Sequence, residues 1–152
     1  MLDHFRHLLA HMRWADQRVL DRLREGADDR TLRLFAHVVG SARVWLTRLE
    51  GRDSTHLEVW PTLDLEGCAA VAAEVHAGFE GYLDSLDETR LSAPVEYRNQ
   101  AGAPFSTRLA DVLTHLFMHA SYHRGQIALA LRDGGREPVS TDYIVWVRER
   151  AG

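Results

Sequence analysis

Three histidines in the C-terminal half of the chain, His115, His119 and His123, recur at every fourth position. On a helix, residues so spaced stack along one face with Cβ atoms about 5–6 Å apart, near enough for two imidazoles to chelate one metal ion. The apolar neighbours say which face that is. At about 100° per residue, Leu109, Val112, Leu116, Ala120, Ile127 and Ala130 form one stripe, with His123 inside it. His119 falls about 40° beyond it and His115 about 80° beyond. Two imidazoles therefore turn toward a core and the third flanks it. Each inward ring brings a donor and an acceptor into apolar surroundings. Such rings are either core histidines bonded to backbone or to each other, or ligands of a metal. A metal takes one ring nitrogen and leaves the other N–H for an acceptor.

A third ligand has to come from another helix. His37 is the best placed, about two turns into the second helical segment and beside the stripe of Leu34, Val38, Trp45 and Leu49. Read as a metal site, the candidate ligands are His37, His119 and His123; read as core histidines, the same rings bond to backbone or to each other. His7 and His11 also lie four apart, but opposite the stripe of Phe5, Leu9 and Met12. They read as a solvated face or, with Trp14, as part of a partner contact. His4 shares that outer face, His56 falls in a loop, and His76 lies among Ala and Glu. Asp16 interrupts the first apolar stripe between Met12 and Val19. A carboxylate there orients a ligating imidazole, pairs with an arginine, coordinates the metal directly, or is rotated to the mouth of the bundle. Gln126 lies near His119 on the wheel, in place to hydrogen-bond it. Arg124, about 100° from His123, reads as a structural or rim arginine. Tyr122 and Tyr143 are proton donors or packed aromatics. Cys68 reads as a small core residue.

The elements that must position these groups are helical. Apolar residues at helical spacing mark segments of about Asp3–Glu25, Arg30–Glu50 and Asp64 to residue 86, with Gly51 as a C′ glycine and Asp64 as an N-cap. Residues 91–105, with Pro94, Gly102 and Pro104, read as extended chain around a turn. A fourth helix is expected from Ser106 or Thr107 to Arg132, closed by Gly134-Gly135, and a short last one from Tyr143 to Glu149. This is an all-α reading: a four-helix bundle plus a short C-terminal helix. The loop between the second and third helices is long enough for a crossover.

The chain has 152 residues, 45% of them hydrophobic, and a formal net charge of −4, which suits a single domain over 1–152 and excludes intrinsic disorder. The lone cysteine excludes a disulfide scaffold. All 18 basic residues are arginine, so Schiff-base and lysine-nucleophile chemistry is absent. Scattered arginines on an acidic chain give no phosphate-neutralising stripe, so no nucleic-acid partner is expected. No apolar run approaches the roughly 18 residues a membrane helix needs, and the charged N-terminus is unlike a secretory leader. A cytoplasmic location is expected. Met118, Tyr122 and Leu129, on the side of the fourth helix away from its core stripe, and Trp14 on the first helix fit a homodimer.

The run Leu113-Thr114-His115-Leu116-Phe117-Met118-His119-Ala120-Ser121-Tyr122-His123-Arg124-Gly125-Gln126-Ile127 resembles the fourth-helix signature of the DinB-like (DinB/YfiT-like) metalloenzymes, in which a histidine precedes His-Arg-Gly-Gln by four positions. His37 to Leu46 is similar to that family's second-helix signature. Trp14-Ala15-Asp16 resembles its Trp-Ala-Asn segment, with Asp where Asn is common, and Thr141-Asp142-Tyr143-Ile144 fits its ending. The resemblance covers nearly the whole chain. It implies a crossover four-helix bundle, often dimeric, with one divalent metal on His37, His119 and His123. Relatives with assigned functions include bacillithiol S-transferases and a mycothiol-dependent maleylpyruvate isomerase, so a low-molecular-weight thiol cofactor and a small electrophilic substrate are implied.

Three neutral imidazoles leave coordination positions open, as catalytic sites do. They suit Zn, Ni or Fe, and Cu as well. The leading expectation is a metal-dependent transferase that activates a thiol. The alternatives are a metal-dependent hydrolase using bound hydroxide and a stress-associated metal-binding protein without turnover.

Overall fold

The computed structural model describes residues 1–151. Helix α1 spans Leu2–Arg24, α2 Asp29–Leu49 and α3 Leu65–Asp84. A 3-10 turn at Glu88–Ser92 leads into β1 (Pro94–Arg98) and β2 (Pro104–Arg108), followed by α4 (Leu109–Asp133) and α5 (Tyr143–Ala151). The helix ends are written in short-range chemistry. At the start of α2, Thr31 N–H donates to Asp28 Oδ1 at 2.7 Å and Asp28 N–H to Thr31 Oγ1 at 3.2 Å, a reciprocal cap. Asp64 accepts from Gly67 N–H at 2.7 Å, as an N-cap should. Gly51, just past α2, has φ +71°, the left-handed conformation that ends helices and favours glycine.

The connectivity is a crossover. Arg6, near the start of α1, reaches Asp84 and the Leu83 carbonyl at the end of α3. Arg30, opening α2, pairs with Asp133 at the end of α4 at 3.0 Å. The helices therefore run up, down, down, up, with α1 and α2 each packed against α3 and α4 and facing one another only across the diagonal. Because α2 and α3 run the same way, residues 50–64 must climb back along the bundle. They do so pressed onto α2 at Gly40, where an added Cβ would lie 2.6 Å from Pro61 Cδ. The missing side chain at Gly40 is what lets this loop lie against the helix that carries His37.

The core is continuous through the four long helices, with Phe35, Phe79, Leu23, Leu83, Leu113 and Ile127 buried at its centre. Burial of each such side chain contributes about 1.5–3 kcal/mol. No described helix is long and apolar enough to cross a membrane.

Two expectations need correction. The fourth helix does not begin at Ser106 or Thr107. Both residues belong to β2, paired in register with Glu96 and Val95, so their backbone is committed to an antiparallel ladder and the helix starts only at Leu109. The face of α1 that carries His11 and Trp14 is not the solvated one expected. The chain's own α5 covers it. Trp146 is buried there, its ring 5.8 Å from that of His11. His11 Nε2–H donates to the Thr141 carbonyl at 2.9 Å, and Trp14 Nε1–H donates to Glu149 at 3.1 Å. A short helix carrying Tyr143 and Trp146 needs an aromatic surface to bury them, and the outer edge of α1 supplies one. His4 and His7 stay exposed, as do Met118, Tyr122 and Leu129 on α4.

Candidate metal centre

Helix α4 presents His119 and His123 one turn apart on its inward side, and α2, packed antiparallel against it, presents His37 at the same level. The Nε2 atoms of His37 and His123 lie 3.1 Å apart, as do those of His123 and His119. One nitrogen from each of the three rings falls within 4.8 Å of the others. The rings cross at steep angles, 83° between His37 and His123 and 63° between His119 and His123.

The far sides of two rings fix their tautomers. His37 Nδ1 lies 2.6 Å from the Val59 carbonyl, which can only accept, so the ring proton sits on Nδ1 and Nε2 keeps its lone pair. His123 Nδ1–H donates to Gln126 Oε1 at 2.7 Å, with the same consequence. Two unprotonated nitrogens at 3.1 Å repel unless a cation lies between them, so the donor set fits a metal ion better than it fits a buried hydrogen-bonded pair. Burial and the neighbouring imidazoles push His119 down to about 4. Burial, with a smaller contribution from His123, also lowers His37 against the opposing pull of the Val59 carbonyl. His37 and His119 are therefore held in the neutral form that metals bind. Trp60 stacks on His37 at 3.7 Å and 8°, walling the site with the crossover loop. The three histidines are close enough to hold a metal ion.

A profile of the DinB family matches residues 1–150. The chain belongs to the DinB family. It is 24% identical over 147 residues to Protein DinB of Bacillus subtilis (strain 168), a match covering 86% of each chain. The crystal structure of a DinB-like protein from Bacillus cereus superposes with a TM-score of 0.68 at 18% identity, covering 91% of this chain and 95% of that one. At that identity the likeness shows a shared fold.

In this DinB-family chain the other singled-out residues divide cleanly. His115 stays outside the cluster, on the rim of α4, edge-on to Trp45 at 5.4 Å and beside His119 at 5.3 Å. Asp16 takes no part in the histidine cluster. It is buried, accepting from Arg124 Nη1 at 2.9 Å and from His76 Nε2 at 3.0 Å. The sequence placed His76 only among Ala and Glu, whereas α3 turns it inward onto Asp16. The lone carboxylate in an apolar stripe was the signal that a basic partner had to meet it. Gln126 serves His123, three residues before it, instead of His119: its carboxamide reaches back one turn to the Nδ1 edge. Tyr143 packs against His11 and Trp146. Val59 and Trp60 were not legible at all, since no spacing rule seats a crossover loop on a particular residue. Cys68 is fully buried, and burial raises its thiol to about 11.

Proposed function

We propose that this protein is a metal-dependent transferase that activates a low-molecular-weight thiol toward a small electrophile, with His37, His119 and His123 as the metal ligands. The convergence of unprotonated Nε2 atoms carries the reading: two of the three rings have their protons pinned on the opposite nitrogen by Val59 and Gln126. A divalent ion on three neutral imidazoles supplies Lewis acidity, lowering the pKa of a thiol or water that occupies one of its remaining positions. The protein's own part is orientation. Val59 and the stacked Trp60 hold the His37 ring, and Gln126 holds the His123 ring, so two of the three nitrogens are placed before any ion arrives. The hydroxyl of Ser41, one turn after His37, is turned back onto its own helix and donates to the His37 and Val38 carbonyls, and the chain has no lysine, which favours a nucleophile brought in from solution.

The test is an assay of metal-replete protein with monochlorobimane and a panel of biological thiols. Consumption of the electrophile that requires both thiol and metal, and that disappears in His119→Ala, supports transfer. Thiol-independent hydrolysis of esters or amides by the same preparation would replace this reading with a hydrolase. Full metal occupancy with no turnover of either kind would leave a metal-binding protein.

A further inference from the structure

Burying a charged group is costly unless an opposite charge or dense hydrogen bonding meets it. Arg48, on the last turns of α2, departs from that rule. It is 8% exposed, yet among the described residues no carboxylate lies within 4 Å of its guanidinium. Its partners are neutral: Nε–H donates to Ser54 Oγ at 3.1 Å and Nη2–H to Gln100 Oε1 at 2.7 Å. Its guanidinium carbon rests against an edge-to-face pair of aromatic rings, 4.6 Å from the Trp45 centroid and 4.9 Å from that of Tyr97. Nη1 makes no hydrogen bond and is not sealed in, since Arg48 lines a cavity of about 510 Å³ between the crossover loop and the β1–β2 hairpin.

The rest of that cavity is selective. Tyr97 and Phe105, paired across the hairpin and stacked at 5.7 Å and 16°, form an apolar wall whose outer member is 46% exposed. Arg98 also lines it and has no carboxylate partner, while Arg52 is paired with Glu50. The two acids in the lining are engaged: Asp53 accepts from the Thr55 amide and hydroxyl, and Glu96 from the Ser106 hydroxyl. A fixed guanidinium with one free N–H edge, beside a flat apolar wall, matches a small molecule with a carboxylate at one end and an aromatic body behind it.

We propose that the cavity beside Arg48 is a binding site for aromatic carboxylates. Nη1 of Arg48 receives the carboxylate and the Tyr97–Phe105 pair receives the ring. Arg48 lies eleven residues after His37 on the same face of α2, about 16 Å along its axis, so the site is separate from the histidine cluster and does not depend on its occupancy.

The experiment is a titration of the full chain with benzoate, followed by two-dimensional amide and indole NMR, with uncharged benzamide as the matched control. The expected result is saturable shifts at Trp45, Ser54, Tyr97 and Gln100, and none of that pattern with benzamide. Phe105→Ala, a surface change, should weaken benzoate several-fold with an unaltered spectrum elsewhere. Arg48→Gln should weaken it at least about tenfold, and Arg48→Lys, which keeps the charge, should retain part of the affinity. Because Arg48 also ties the loop to the hairpin, Phe105→Ala keeps the test meaningful if Arg48→Gln disturbs the fold. Equal binding of benzoate and benzamide, shifts confined to His119 and His123, or unchanged affinity in both Phe105→Ala and Arg48→Gln would overturn the proposal.

Discussion

His37 and His123, eighty-six residues apart in sequence, bring their Nε2 atoms to 3.1 Å while their Nδ1 atoms face acceptors on opposite sides. As neutral imidazoles, neither ring can relieve the contact by donating to the other without giving up its outer bond. A cation between them satisfies both at once.

Metal content is therefore expected to depend on all three rings and on what holds them. Protein purified without an affinity tag should carry about one divalent ion per chain, and His37→Ala, His119→Ala and His123→Ala should each lose it. Gln126→Leu leaves the ligands in place but frees the His123 ring, and a loss of about 10–100-fold in affinity is expected. Elemental analysis and chelator competition measure both. Stoichiometric metal in His37→Ala would remove that residue from the set.

Gly40 links the backbone to the site. Gly40→Ala places a methyl group 2.6 Å from Pro61 Cδ, so the crossover loop must move away from α2. The Val59 carbonyl and the Trp60 ring move with it. Weaker metal binding is expected although no ligand is touched, together with a lower melting temperature. Unchanged affinity for the ion would show that the loop does not orient His37.

The pairing of Asp16 with Arg124 lies wholly inside the bundle, both side chains 2–3% exposed. Removing one partner strands a buried charge, so Asp16→Ala should lower the unfolding free energy by about 3–5 kcal/mol. In Asp16→Ala/Arg124→Met the loss should be smaller than the sum of the single losses, because no uncompensated charge remains. Denaturant titration of the four proteins closes the cycle, and additive losses would deny the coupling.

Asp28 ties capping to pH. Its carboxyl is held below the usual carboxylate range, first by the Thr31 backbone amide and also by the Thr31 hydroxyl and Arg136. A depressed folded-state pKa stabilises above the unfolded value, and that gain disappears as pH falls through the folded value. Asp28→Ala should therefore cost about 1 kcal/mol at neutral pH, and the gap to the parent should close as the solution is acidified below the carboxylate range. Thermal melts across pH would show it, and a gap that does not vary with pH would contradict it.

Cys68, fully buried and raised to about 11, is almost entirely thiol at neutral pH. Alkylation by iodoacetamide at pH 8 should be slow in the native protein and rapid in denaturant. Fast native labelling would mean that α3 opens readily around it.

The sequence by itself determined what local periodicity encodes: the four long helices, the cap at Asp64, the C′ glycine after α2, and the inward turn of His119 and His123. Each follows from groups within a few residues of one another, where helix geometry leaves little choice. It also marked Asp16 as anomalous without naming its partner. Tertiary structure decided the rest. That α5 covers His11, that His76 and Arg124 close on Asp16, that Gln126 serves His123, and that residues 50–64 lay Val59 and Trp60 against His37 are all outcomes of how helices stack and where a return loop finds room. The start of α4 was settled the same way, by a strand pairing with a segment ten residues earlier. Such contacts depend on the relative placement of whole elements, and no helical or strand repeat records that placement.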